Sequence, residues 1–128
     1  MPKIKKIWKF LPYLFFFFAL LNFRVILITG NSMSPTLQNG SFAIVDKNLF
    51  KLFEIKKNDI LVFQKDKEEV VKKIVGFPNE TITIENKEIK LNESQVYLLG
   101  ENLPESIDSR SYGPLNSKSI IGKVVLSF

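Results

Sequence analysis

The chain has 128 residues, room for one modest core and not for a second domain with its own interior. Its net charge of +5 comes wholly from the first 30 residues, where Lys3, Lys5, Lys6, Lys9 and Arg24 have no acidic counterpart; the remainder holds 13 basic and 13 acidic residues and offers no basic face for nucleic acid. Cysteine and histidine are both absent, which excludes disulfides, thiolate zinc sites, cysteine nucleophiles and a Ser-His-Asp triad.

Residues 1–29 read as a cytoplasmic tip and a membrane anchor. Ile7 to Thr29 is apolar apart from Lys9, Asn22 and Arg24, with a fully apolar centre from Leu14 to Leu21. Lys9 and Arg24 suit snorkelling to opposite interfaces, with Trp8 and Tyr13 at headgroup level. Four cations precede the apolar run and one follows, so the positive-inside rule places the N-terminus in the cytoplasm and the rest outside. A cleavable secretory signal fits less well, because no small-x-small site follows Leu21 before Gly30. Val25 to Thr29 is β-branched, which also suits a first strand.

Residues 30–128 read as one all-β domain. Apolar or alternating runs separated by turn residues predict strands at Phe42–Asp46, Ile60–Gln64, Val70–Gly76, Thr81–Glu85, Glu88–Leu91, Val96–Leu99 and Ile120–Ser127. Asn39-Gly40 is a turn signal, and Asn86-Lys87 looks like a tight hairpin turn. Leu49 to Lys57 has a weak helical character. Strand number and spacing imply an antiparallel sandwich or partly closed barrel, preceded by a single N-terminal transmembrane helix.

Three stretches carry possible chemistry. In Gly30-Asn31-Ser32-Met33-Ser34-Pro35-Thr36-Leu37, proline and small residues favour an irregular turn that can hold a hydroxyl out from the backbone, although most such serines are plain turn residues. Glu69 to Gly76 places Lys72 and Lys73 inside an apolar strand, so alternation sets one of them among apolar neighbours whichever face is inward. Desolvation there lowers a reference pKa of about 10.4 and makes a neutral amine available near neutral pH. Otherwise this is an edge strand whose lysines both reach water. With no histidine, Ser-Lys is the natural dyad for this composition. Gly100 to Arg110 is polar and long for a mere connection, and it brings Asp108 within two positions of Arg110.

These stretches resemble the type I signal peptidases in four blocks that occur in family order. Ser32 to Leu37 matches S-M-x-P-T-L, and Asp59 to Phe63 matches a G-D-[IV]-V-[VA]-F-like strand, with Asn58 for the glycine. Lys72 to Glu80 matches K-R-[VI]-V-G-x-P-G-[DE], with Lys73 for arginine and Asn79 for the second glycine. Gly100 to Gly113 matches G-D-N-x-x-x-S-x-D-S-R-x-x-G. The resemblance implies a serine endopeptidase with Ser32 as nucleophile and Lys72 as general base. Ser106 corresponds to the family's serine that orients the lysine, and Asp108 with Arg110 to a supporting ion pair. The Ser32 N–H corresponds to an oxyanion donor. Gly30 stands where some members have a second, hydroxyl donor. The branch of the family that uses histidine is excluded.

Implied substrates are exported preproteins with small residues at the first and third positions before the cut, met at the lipid bilayer on the extracytoplasmic face of the cytoplasmic membrane. Ile28, Met33, Leu37, Val70 and Val71 are the expected pocket walls. No metal or organic cofactor and no nucleic acid is implied. The same dyad also suits a specialised conjugative-transfer or pilin-maturation peptidase, and a β domain that only binds signal peptides is a non-catalytic alternative. A self-cleaving regulator of repressor type needs more than the 31 apolar-rich residues that precede Ser32.

Overall fold

The computed structural model describes residues 3–128, without the side chains of Lys3 and Lys5; Met1 and Pro2 of the expected anchor lie outside the described residues. The chain begins with helix α1 (Lys3–Asn22), which contains Pro12, and runs directly into strand β1 (Phe23–Leu27). Trp8, Phe10, Tyr13 and Phe15 to Phe18 are all exposed along the helix. Twenty residues rise about 30 Å. However, no helix among the described residues is long and apolar enough to cross a membrane. Lysines at positions 3, 5, 6 and 9 confine the uncharged run to Phe10–Asn22, short of the roughly 20 apolar residues a span requires. The expected transmembrane segment forms an exposed apolar helix that ends at Asn22.

β1 pairs antiparallel with β2 (Phe42–Asp46), Phe23 opposite Asp46 and Leu27 opposite Phe42. The strand signal read at Val25–Thr29 thus starts two residues earlier. The chain continues through β3 (Ile60–Lys65), β4 (Glu68–Gly76), β5 (Thr81–Ile84), β6 (Lys87–Lys90), β7 (Gln95–Leu99), helix α2 (Ser109–Tyr112), β8 (Leu115–Asn116) and β9 (Ile120–Ser127). One seven-stranded sheet has the order β1-β2-β9-β3-β4-β7-β8, every pair antiparallel, and β5-β6 forms a separate hairpin. All seven strands expected after Gly30 are present, since each combines β-branched or aromatic residues with flanking turn residues.

The sheet curls without closing into a barrel. Register shifts interrupt the β2–β9, β3–β9 and β4–β7 ladders, and such bulges bend a strand and increase its twist. Curling brings β1 and β4, four places apart in the sheet order, close enough for Arg24 to contact Glu69 at 2.7 Å. Apolar residues fill the inside in three clusters: Leu61, Phe63, Ile74, Val96 and Leu98; Ile28, Met33, Leu37 and Ala43; and Val75, Leu91 and Tyr97. The last joins the hairpin to the sheet through Ile82, Ile84 and Ile89.

Local differences from the sequence reading have physical causes. The β5–β6 turn residues are Glu85 and Asn86, one position before the expected pair, with φ of 50° and 63°. A two-residue hairpin loop that matches strand twist needs positive φ at both central positions. Helical character at Leu49–Lys57 amounts to one 3-10 turn at Leu49–Leu52, because Lys56 and Lys57 belong to a turn leading into β3. α2 and β8 had no sequence signal, being four and two residues long.

Candidate active site

Ser32 lies in the turn that follows β1. The Leu37 N–H donates to the Met33 carbonyl at 2.8 Å and the Ser34 N–H to the Asn31 carbonyl at 3.1 Å, winding the segment into a compact loop with a cis Ser34–Pro35 peptide. Met33 and Leu37 are 2% and 1% exposed, so two apolar anchors hold the loop while Ser32 stays half-buried. Asn102 N–H donates to the Ser32 carbonyl at 2.9 Å, tying the serine to the segment after β7.

Lys72 comes from β4, opposite Leu61 of β3. It is 6% exposed, whereas Lys73 is only half-buried, which settles which lysine faces inward. Its Nζ is 2.8 Å from Ser32 Oγ, across 40 residues of sequence. Burial pushes the Lys72 pKa below the ordinary lysine value, and the Asp108 carboxylate partly opposes that shift. The ammonium form donates to the serine hydroxyl. Once deprotonated, the amine can accept the hydroxyl's proton over the same distance.

Asp108 is fully buried and caps α2, its carboxylate accepting from the Arg110 N–H at 3.1 Å. It also accepts from Arg110 Nε at 2.9 Å, Gly100 N–H at 3.0 Å and Ser106 Oγ at 2.8 Å. Burial alone would raise its pKa. The Arg110 side chain, the Gly100 N–H and the Ser106 hydroxyl outweigh that and hold it below the usual carboxylate value. Arg110 extends the network to the Leu103 carbonyl at 2.8 Å and to Glu85 of the hairpin turn at 3.2 Å. Ser106 therefore directs its hydroxyl to Asp108; among the described residues its recorded partner is that carboxylate rather than Lys72.

Gly100 makes this arrangement possible. A Cβ there would overlap Ser106 and lie 2.7 Å from the Ser32 carbonyl oxygen. Only a residue without a side chain lets the Ser32 turn and the Ser106 loop approach each other.

A cleft of about 280 Å³ opens beside Ser32 and Lys72. Ile28, Met33, Val70 and Val71 line it as expected, whereas Leu37 lies behind the wall in the Ile28–Met33 cluster. Ile26, Leu27, Thr29, Val62 and Glu69 also line it and were missed. Ile26, two residues before Ile28 on an extended chain, could have been found from strand alternation. Val62 and Glu69 needed the curl of the sheet. A larger groove of about 1050 Å³ lies elsewhere, between the Phe50–Lys57 segment and Phe77, and contains neither Ser32 nor Lys72. Chemistry decides in favour of the smaller cleft, because it alone of the two places a hydroxyl against a desolvated amine.

The family model for signal peptidase, peptidase S26, matches residues 4–97 and 90–128, nearly all of the chain. The chain belongs to the signal peptidase family.

As a member of that family it is a serine peptidase, a hydrolase of the signal peptidase I type. It is 37% identical over 113 residues to mitochondrial inner membrane protease subunit 1 of Schizosaccharomyces pombe, covering 80% of this chain and 71% of that protein. Identity to the Xenopus tropicalis protein of the same name is 31% over 112 residues, covering 80% of this chain and 67% of that protein. Signal peptidase I of Bacillus caldolyticus is 27% identical over 140 residues, covering 80% of this chain and 77% of its own length. Two departures of this chain from the family blocks have a backbone explanation. Asn58 and Asn79 stand at glycine positions and have φ of 70° and 67°. Asparagine is the residue besides glycine that most readily adopts this left-handed conformation. At Gly30, whose φ is 84°, a Cβ would meet nothing within 4 Å.

Proposed function

We propose that this chain is a membrane-bound endopeptidase that removes N-terminal signal peptides from exported proteins with Ser32 as nucleophile and Lys72 as general base. The observation that carries the reading is the 2.8 Å separation of Lys72 Nζ and Ser32 Oγ, with the lysine 6% exposed. Neutral Lys72 takes the hydroxyl proton as Ser32 Oγ attacks the scissile carbonyl. The carbonyl oxygen becomes an oxyanion, for which the Ser32 N–H is the proposed donor. The protonated lysine then gives its proton to the leaving amine, and an acyl-enzyme remains. Lys72 next removes a proton from water, which attacks the ester; the lysine returns that proton to Ser32 Oγ as the ester bond breaks and the cleaved signal peptide leaves.

Asp108, Ser106 and Arg110 act by position. Together with Gly100 they hold the loop that grips the Ser32 carbonyl through Asn102, and the Asp108 charge bears on Lys72 without touching it. The narrow cleft with Ile28, Met33, Val70 and Val71 on its walls favours small apolar residues before the cut. In this reading α1 is a single membrane anchor with its N-terminus in the cytoplasm. Its support is the ring of exposed phenylalanines, which needs an apolar surrounding, and the cationic start.

The test is cleavage of a preprotein with an Ala-x-Ala site by the full chain in detergent, beside Ser32→Ala and Lys72→Ala. Cutting after the second alanine by the wild type, with both variants inert, is the expected result. A wild type inert on this substrate removes the general signal-peptide assignment and favours a dedicated partner or a non-catalytic binding domain. Retained activity in Lys72→Ala would remove the dyad.

A further inference from the structure

We propose that the segment Leu49–Lys57 is a membrane-docking foot whose apolar tip enters the interface of an anionic phospholipid bilayer while its lysines engage the headgroup phosphates. The inference rests on the reading of α1 as the membrane anchor.

Position is the first observation. β1 leaves the end of α1, and because β1 and β2 are antiparallel, Phe23 at the helix end lies opposite Asp46. The chain that follows Asp46 is bonded to the helix terminus. Lys47 N–H donates to the Asn22 carbonyl at 2.7 Å, and Asn48 Nδ2 to the Leu21 carbonyl at 3.1 Å. Asp46 Oδ1 in turn accepts from the Asn48 and Leu49 N–H groups at 3.0 and 2.7 Å, fixing the direction in which the segment departs. A bilayer that surrounds α1 up to Asn22 brings this segment to its surface.

Exposure is the second. Phe50 is 5% exposed and roots the segment in the protein, whereas Leu52 and Phe53 are 77% and 72% exposed. Two adjacent large apolar side chains at the end of a 3-10 turn stand mostly in solvent, and a membrane interface would bury them.

Charge is the third. Residues 30–128 are neutral as a whole, yet Lys47, Lys51, Lys56 and Lys57 fall within eleven positions with Glu54 as the only acid. Lys51, Lys56 and Lys57 border the groove of about 1050 Å³ together with Lys118, Phe53 and Phe77; Glu54 and Glu80 are its acids. Apolar residues rimmed by lysines match the layered chemistry of an interface, acyl chains below and phosphates above. Each lysine near an anionic surface strengthens association by about fivefold. For the proposed reaction, a second attachment point limits rotation of the β domain about α1 and keeps the cleft at a set height over a membrane-held substrate.

The experiment uses the full chain reconstituted in vesicles carrying brominated acyl chains, which quench tryptophan on contact. Trp8 is the chain's single tryptophan and reports on α1. Trp8→Phe/Phe53→Trp moves the reporter to the foot, at a site exposed enough to accept the larger ring. Vesicles are phosphatidylcholine alone or phosphatidylcholine with phosphatidylglycerol. The expected result is quenching at both positions with phosphatidylglycerol present. Quenching at position 53 should weaken in neutral vesicles, at high salt, and in Lys51→Gln/Lys56→Gln/Lys57→Gln. Quenching of Trp8 without quenching at position 53 overturns the foot and leaves the anchor intact. Quenching at neither position overturns the anchor and the foot together, and equal quenching at position 53 in neutral vesicles overturns the headgroup assignment.

Discussion

Lys72 and Ser32 stand 40 residues apart in sequence and 2.8 Å apart in space, and the amine is nearly sealed from water while the hydroxyl is not. Burial lowers the lysine's pKa, and it also makes the site costly to fold.

The proposed mechanism predicts how rate responds to pH. Only neutral Lys72 can take the Ser32 proton, so kcat/KM rises with pH as the ammonium is lost. Because burial lowers its pKa, the rise occurs below the ordinary lysine value of about 10.4. Asp108 raises the Lys72 pKa, so Asp108→Asn should move this limb to lower pH. A pH–rate profile of both proteins checks the direction, and an unmoved limb would mean that the Asp108 charge does not reach the base.

Lys72→Met should abolish cleavage and yet raise Tm. A folded-state lysine pKa below the unfolded one means that the unfolded chain binds more protons between the two values, so stability rises with pH across that window. Below the window the cost of burying the cation is present in full, and the methionine variant avoids it. The gain in Tm should be greatest near neutral pH and shrink toward about pH 10.4. Thermal unfolding followed by circular dichroism at several pH values measures it.

Asp108 should behave in the opposite sense. Its carboxylate pKa is depressed, so its contribution is present above the unfolded value of about 3.9 and is lost as pH falls through the lower folded value. Asp108→Asn removes one of the two carboxylates that bind Arg110, leaving Glu85, and should lower stability near neutral pH by more than Ser106→Ala does. Ser106→Ala removes one of several donors to Asp108 and should cost about 1 kcal/mol. Urea unfolding of the three proteins orders these effects.

Gly100→Ala tests the close approach of two loops. The added methyl overlaps Ser106 and crowds the Ser32 carbonyl, so the Ser32 turn must shift. A misplacement of about 1 Å at a reacting centre can cost about 100-fold in rate. Single-turnover cleavage should show a loss of that order, beyond what the change in Tm explains.

Asn58 and Asn79 should each tolerate glycine with little change and resist alanine. An alanine held at a left-handed φ costs about 1–2 kcal/mol, whereas glycine adopts it freely. Comparative unfolding of Asn79→Gly and Asn79→Ala isolates the backbone contribution, because Asn79 lies outside the Ser32–Lys72 cleft.

Strands such as Phe42–Asp46 and Ile120–Ser127 were legible residue for residue, because alternation and β-branching are local properties. Ser32, Lys72, Ser106, Asp108 and Arg110 were legible as family blocks, although block order carries no distances. The apolar helix was legible from composition, but its end at Asn22 was not, because β1 follows it without a break and the β-branched residues there suit either element.

Sequence by itself determined the strands and the absence of any histidine or cysteine chemistry, and it singled out Ser32 and Lys72 without placing them together. Tertiary structure alone decided which of the two lysines is buried, that Ser106 bonds to Asp108, and that Leu37 supports the cleft from behind. It also decided where Leu52 and Phe53 stand relative to α1. The reason is physical: a strand's residues report their own periodicity. The meeting of β1, β4 and the Gly100–Arg110 segment depends instead on how three bulges curl a sheet of seven strands.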